Sequence, residues 1–195
     1  SEIVAFNSGA VSINSIASTY LSNAKDVALN QAGTTIYVTD AGCSCVRVFS
    51  TAGVSITSIT GDTSVSLVGP TGLAVGPNGN LYVTDVTDNM VKVINPTTNT
   101  GVRNLGSSGS ADGQFNNPLG ITVDGTGNIY VADTGNGRIQ KFNSSYVFVK
   151  KWGTYGNSYN GQFESPADVA VSPDGQKVYV VDSTKVRVQS FDGEG

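Results

Sequence analysis

Apolar residues along this chain come in short runs bounded by glycine, asparagine, serine or proline. Four runs share one pattern: Ile36-Tyr37-Val38-Thr39-Asp40, Leu81-Tyr82-Val83-Thr84-Asp85, Ile129-Tyr130-Val131-Ala132-Asp133 and Val178-Tyr179-Val180-Val181-Asp182. Their tyrosines stand 45, 48 and 49 residues apart, so the chain is built from a repeat. Ahead of each run lies a shorter apolar stretch: Val27-Ala28-Leu29, Leu73-Ala74-Val75, Ile121-Thr122-Val123 and Val169-Ala170-Val171. A glycine-containing turn separates the two, as in Pro77-Asn78-Gly79-Asn80 and Pro173-Asp174-Gly175. Asn-Gly and Asp-Gly pairs supply the positive φ that hairpin turns require.

Nine residues past each aspartate an apolar anchor closes a third strand, at Phe49, Ile94, Phe142 and Phe191. A fourth strand follows in three repeats, over 54–59, 101–105 and 147–152. No stretch of a dozen residues has helical spacing. The expectation is an all-β chain whose repeat is a four-stranded antiparallel blade of a β-propeller. Neighbouring blades cover both faces of such a sheet, which allows inner strands as apolar as Val-Tyr-Val-Val. The repeat divides residues 1–195 into a partial blade (1–20), three full blades (21–61, 62–106 and 107–153) and a blade lacking its fourth strand (154–195). The half blade is read from 2–9 as a third strand and 11–16 as a fourth. The spare strands fit a segment of a larger repeat protein, or a chain completed by another copy as a homo-oligomer or polymer.

The third repeat carries more than periodicity. Its run Gly113-Gln114-Phe115-Asn116-Asn117-Pro118-Leu119-Gly120-Ile121, followed by 127–133 and Asn136-Gly137-Arg138-Ile139-Gln140-Lys141-Phe142, resembles the NHL repeat of a β-propeller family. The fourth repeat is similar at Gly161-Gln162-Phe163-Glu164-Ser165-Pro166 but departs at Asp182-Ser183-Thr184-Lys185. The second keeps Pro70-Thr71-Gly72-Leu73, with Asp88 and Met90 where the family places Asn and Arg; the first has Ala24 at the proline position. The resemblance implies the fold. It leaves function open, because such propellers serve as ligand-binding, protein-binding, RNA-binding and enzymatic platforms.

Composition narrows that range. Charged residues make up 13% of the chain, against roughly 25% in an average domain. The chain has 22 Ser, 19 Thr and 24 Gly. A net charge of −4 with only 11 basic residues argues against a nucleic-acid surface. No apolar run reaches the length of a membrane span, and residues 1–20 show no basic-then-apolar signal pattern. Histidine is absent, which removes imidazole as base, shuttle or zinc ligand. Without it the histidine-bound zinc of the amidating lyases that this repeat resembles has no ligands. The composition fits a secreted or cell-surface protein.

Candidate residues fall in five groups. The connection 152–161 mixes rings with small polar residues, as binding loops do, and makes Trp152, Tyr155, Asn157 and Tyr159 candidate contacts for a protein or glycan. Its bland alternative is Trp152 and Phe163 packed between blades under an ordinary loop. Asp26 and Asp168 replace the glycine of Gly120's position, near the channel; they are the least repeat-like acids and so the candidate binding carboxylates. Asp40, Asp85, Asp133 and Asp182 recur in every blade, which favours a structural role accepting their own downstream N–H groups. Cys43 and Cys45 form a disulfide, bind a soft metal or stay reduced; two ligands do not complete a metal site. Asn143-Ser144-Ser145 is a glycosylation sequon.

The leading expectation is a non-catalytic extracellular scaffold with no cofactor and no catalytic residue. The alternative is an enzyme of lyase or lactonase-like type with a channel metal, its catalytic residues partly outside these 195 residues. Ca2+ held by carboxylates and carbonyls belongs to that alternative.

Overall fold

The computed structural model describes residues 3–6, 12–16, 18–156 and 158–193. Its strands are, in chain order, β1 (Ile3–Phe6), β2 (Ser12–Ile16), β3 (Ala24–Leu29), β4 (Thr35–Asp40), β5 (Cys45–Ser50) and β6 (Ser55–Ile59). There follow β7 (Pro70–Val75), β8 (Leu81–Asp85), β9 (Met90–Asn95), β10 (Thr100–Leu105), β11 (Pro118–Val123), β12 (Ile129–Asp133), β13 (Arg138–Phe142) and β14 (Phe148–Trp152). The last five are β15 (Thr154–Tyr155), β16 (Gln162–Phe163), β17 (Pro166–Val171), β18 (Lys177–Asp182) and β19 (Arg187–Asp192). The chain is an all-β propeller of antiparallel blades: β3–β6, β7–β10 and β11–β14 are four-stranded, and β17–β19 is three-stranded. β1 and β2 pair with each other in a separate two-stranded sheet.

Each blade is a meander because its first turn is short and carries a glycine with positive φ, such as Gly79 (77°) or Gly175 (73°). In every blade the first strand shifts register near its start, between Ala24 and Asp26, Pro70 and Leu73, Pro118 and Ile121, and Pro166 and Asp168. Such bulges turn the strand start, here the edge nearest the propeller centre. The innermost strands β3, β7, β11 and β17 pack side by side in chain order.

The core lies between blades rather than within them. Tyr37, Val46, Val48 and Ile59 of the first blade meet Leu73, Leu81, Val83 and Ile94 of the second. Tyr82, Val91 and Val93 then meet Ile121, Ile129, Val131 and Phe142, and Tyr130, Ile139 and Trp152 meet Val169, Val178 and Val180. The period-2 alternation of a strand explains the division. Within each Ile-Tyr-Val run the tyrosine faces the following blade, and its neighbours face the preceding one. Both faces being covered, β8 and β12 are buried at every residue. β18 alternates instead, exposed at Lys177, Tyr179 and Val181 and buried at Val178, Val180 and Asp182.

Candidate functional site

The four repeated aspartates are fully buried. They were expected to hold their own downstream turns, and their main partners prove to be upstream. Asp40 accepts N–H groups of Ser22 and Asn23 (3.0 and 2.7 Å), and Asp85 those of Val68 and Gly69 (2.7 and 3.0 Å). Asp182 does the same with Glu164 and Ser165, and Asp133 with Asn116. Each carboxylate therefore ties the loop entering its blade to the end of the second strand. The downstream bonds exist as well, from Gly42 to Asp40 and from Thr87 and Asp88 to Asp85. Burial pushes the Asp40 carboxyl up, but the three N–H donors and the Arg47 guanidinium outweigh it and hold its pKa below the ordinary value.

Those tied loops carry the candidate rim. In the fourth blade β15 and β16 form a small parallel pair, Thr154 opposite Gln162 and Tyr155 opposite Phe163. In the third blade the loop 106–115 makes the matching parallel bridge, Ser108 to Phe115. The two loops share their clamps. Arg138 and Gln140 both bond the Gln114 carbonyl (2.9 and 2.6 Å), while Gln140 Oε1 accepts the Gly113 N–H (2.9 Å). Arg187 and Gln189 both bond the Gln162 carbonyl (2.6 and 2.8 Å), while Gln189 Oε1 accepts the Gly161 N–H (2.9 Å). Gln162 Oε1 in turn accepts the N–H groups of Ser158 and Tyr159, as Gln114 Oε1 accepts that of Ala111.

What differs is the cargo. Tyr155 stands where the other loop has Ser108, and Tyr159 sits at a tip one residue longer. Both rings lie in solvent, with Tyr155 70% and Tyr159 72% exposed. Trp152 and Phe163 lie beneath them, within the cluster between the third and fourth blades. The Trp152 ring meets Tyr130 edge-on and packs on Phe191, and its Nε1 is buried with no acceptor among the described residues. Of the four rim candidates the structure thus puts Tyr155 and Tyr159 on the surface and Trp152 under it. Asn157 lies outside the described residues.

Asp26 and Asp168 come together at the centre. Residues from all four innermost strands line a cavity of about 330 Å3: Lys25 and Asp26, Thr71 and Gly72, Leu119 and Gly120, Ala167 and Asp168. Asp26 uses one oxygen for the Val27 N–H and the other for the Leu73 N–H of the next blade, both within 2.8 Å. Asp168 bonds the Val169 N–H (2.8 Å). Burial pushes both carboxyls up, against the pull of these N–H donors, and the Asp26 charge pushes Asp168 up further. Among the described residues no group of three or more His, Cys, Asp or Glu side chains is arranged to hold a metal ion.

Two further candidates sit on the turns. Cys43 and Cys45 are joined by a disulfide in the β4–β5 turn, their Cα atoms 5.2 Å apart. Cys45 occupies the position that Arg138 and Arg187 hold in the last two blades. Asn143 begins the β13–β14 turn, where its Oδ1 accepts the N–H groups of Ser145 and Val147 (both 3.0 Å). No described helix is long and apolar enough to cross a membrane.

The sequence model of the NHL repeat matches residues 67–93 and 115–142, the cores of the second and third blades. No curated protein matches the chain by sequence. Among solved structures, hydrazine synthase of Kuenenia stuttgartiensis is 19% identical with a TM-score of 0.68, covering 88% of this chain and 46% of that one. A structural-genomics protein of unknown function from Bacteroides thetaiotaomicron is 21% identical with a TM-score of 0.73, covering 93% and 50%. A chain of a nidogen/laminin complex is 16% identical with a TM-score of 0.72, covering 99% and 70%. The chain thus spans about half the length of the first two, and at these identities the likeness is one of fold. This is a β-propeller protein that carries NHL repeats at residues 67–93 and 115–142.

Proposed function

We propose that the chain is a non-catalytic extracellular or cell-surface scaffold that binds a protein or glycan on the rim bearing Tyr155 and Tyr159. One observation carries the reading. Two loops share one hydrogen-bonded frame, so the frame requires neither ring, yet one loop holds two tyrosines out in solvent. Exposed aromatic rings on a backbone already fixed by buried clamps lose little freedom on contact, which favours binding. A similar chain in a nidogen/laminin complex comes from an assembly of proteins, which agrees with this reading.

The test compares the protein with a Tyr155→Ala/Tyr159→Ala variant on arrays of glycans and of extracellular-matrix proteins. A Val54→Ser variant, altered at an exposed position on the opposite rim, serves as control. The reading expects signals that survive in the control and vanish in the tyrosine variant. Equal signals from both variants overturn it.

A second reading rests on the central cavity. Two carboxyls held above their ordinary pKa in one concave site are the features of an acid or base centre. Under that reading an Asp26→Asn/Asp168→Asn variant loses a hydrolase or lyase activity that the parent shows on lactone or ester substrates. A parent inactive on those substrates removes the reading.

A further inference from the structure

We propose that the Cys43–Cys45 disulfide is a thiol–disulfide exchange site that takes a dithiol as its substrate. This site is separate from the tyrosine loop. In every blade the turn between the second and third strands places one residue in the left-handed region: Ser44 (51°), Asn89 (54°), Gly137 (63°) and Val186 (49°). Only the first of these turns has cysteines, and their disulfide spans Ser44. The other three reach the same φ without one, so the turn does not need the bond. Chain entropy agrees: a disulfide stabilises in proportion to the loop it closes, and this loop holds Ser44 alone between its cysteines. The cysteine also displaces a clamp. At the position of Cys45 the last two blades place Arg138 and Arg187, which bond the Gln114 and Gln162 carbonyls of their entering loops. A bond that neither the turn nor the loop requires points to chemistry of its own.

Access and charge set the direction of exchange. Cys45 is buried (2% exposed), whereas Cys43 is half-buried beside the exposed Gly42. An incoming thiolate therefore meets Cys43. It forms a bond to the Cys43 Sγ, the Cys43–Cys45 bond breaks, and Cys45 leaves as a thiolate. The second thiolate of the substrate then attacks the mixed disulfide and releases Cys43. The substrate dithiol is oxidised to a disulfide, the chain's disulfide is reduced to two thiols, and the substrate's two protons pass through solvent to Cys45 and Cys43. Arg47 stands next to Cys45 along the same face of β5. Its Nε is buried, 3.6 Å from Asp40 and without a hydrogen bond among the described residues. The Asp40 carboxylate already accepts the N–H groups of Ser22, Asn23 and Gly42. The guanidinium is thus the cation nearest along the strand to the departing Cys45 thiolate, and a stabilised thiolate leaves faster. The reduced turn stays in place. Ser44 Oγ donates to the Val68 carbonyl of the next blade (2.8 Å), and the Cys43 N–H bonds the Asp40 carbonyl (3.2 Å). Neither contact uses the S–S bond, so the two thiols remain neighbours and can be reoxidised.

The test measures reduction of the full chain by dithiothreitol, read by thiol alkylation and mass, in the native state and unfolded in guanidinium chloride. A disulfide reached only through unfolding is reduced at least about a thousandfold more slowly in the native state, because unfolded chains are that rare. The proposal expects a native rate within about tenfold of the unfolded one, and a reduced protein whose thermal midpoint lies within about 4 °C of the oxidised one. A slower native rate, or a midpoint lowered further, overturns it. With glutathione as a monothiol substrate and iodoacetamide blocking the released thiol, fragmentation of the peptide should place the glutathione on Cys43; an adduct chiefly on Cys45 contradicts the order of attack. Arg47→Gln carries the residue that the third and fourth blades place there, Gln140 and Gln189. It should slow native reduction about threefold and leave the unfolded rate unchanged. An unchanged native rate overturns the part assigned to Arg47.

Discussion

At the scale of single residues, the buried aspartates dominate. Asp133 accepts charged and neutral donors together: Arg138 Nε at 2.7 Å, Asn136 and Gln140 side chains at 2.9 Å, and the Asn116 N–H at 2.8 Å. Asp133→Ala leaves Arg138 buried without its counter-charge, and a buried pair broken on one side typically costs about 3–5 kcal/mol. Denaturant unfolding should show that loss. Asp182→Ala should cost less, since Arg187 lies 3.6 Å away and is partly exposed. The pH dependence has two opposite parts. Asp40, held below its ordinary pKa, contributes stability that is present above that value and lost as pH falls through the lowered one. Asp26 and Asp168 are held above theirs, so their share is full when protonated and declines as pH rises through the raised values. Unfolding free energies measured across the acid range should show Asp40→Asn flattening the acid loss. Asp26→Asn/Asp168→Asn should remove the decline at the higher side. The repetition of these aspartates made a structural role legible in the sequence. Their partners were not, because an acceptor can hold upstream or downstream N–H groups equally well, and only the packed loop decides.

At the scale of elements, a short apolar run bounded by a glycine-bearing turn and repeated at a near-constant spacing marks a strand, so the strands of the blades are legible in the sequence. The fourth strands of the first three blades begin within one residue of the expected 54, 101 and 147. The parallel pair β15–β16 was not visible, since two residues have no period. The shared frame of the two rim loops left a trace nonetheless, in Gly113-Gln114-Phe115 and Gly161-Gln162-Phe163. What composition alone showed was a mixture of rings; only burial separates Trp152 and Phe163 as packing from Tyr155 and Tyr159 as surface. Gln189→Ala should therefore act on the loop and leave the sheets intact. It strands the Gly161 N–H and a bond to the Gln162 carbonyl, and a cost of about 1–3 kcal/mol is expected for unpaired groups of this kind. Amide exchange over 158–163 should accelerate accordingly, with β17–β19 unchanged.

At the scale of the whole molecule, stability resides in the seams between blades, and close approach there depends on glycine. A Cβ at Gly120 would overlap the Asp168 backbone and the Ala167 carbonyl of the next blade. Gly120→Val should therefore separate the third and fourth blades, at a cost above about 3 kcal/mol with a broadened transition. The repeat places Asp26 and Asp168 at one position of their blades, yet their meeting at a shared cavity depends on how the blades rotate about the centre, which no local pattern encodes. On the rim, the hydrogen bonds that frame the fourth loop use neither tyrosine ring, and contact through those two rings is what the proposed function requires. Its most direct test measures, on one Tyr155→Ala/Tyr159→Ala preparation, the thermal midpoint and binding to whichever arrayed glycan or matrix protein the parent retains. The account predicts a midpoint unchanged within about 2 °C together with loss of binding. Binding that survives, or a midpoint that falls well beyond that range, would contradict it.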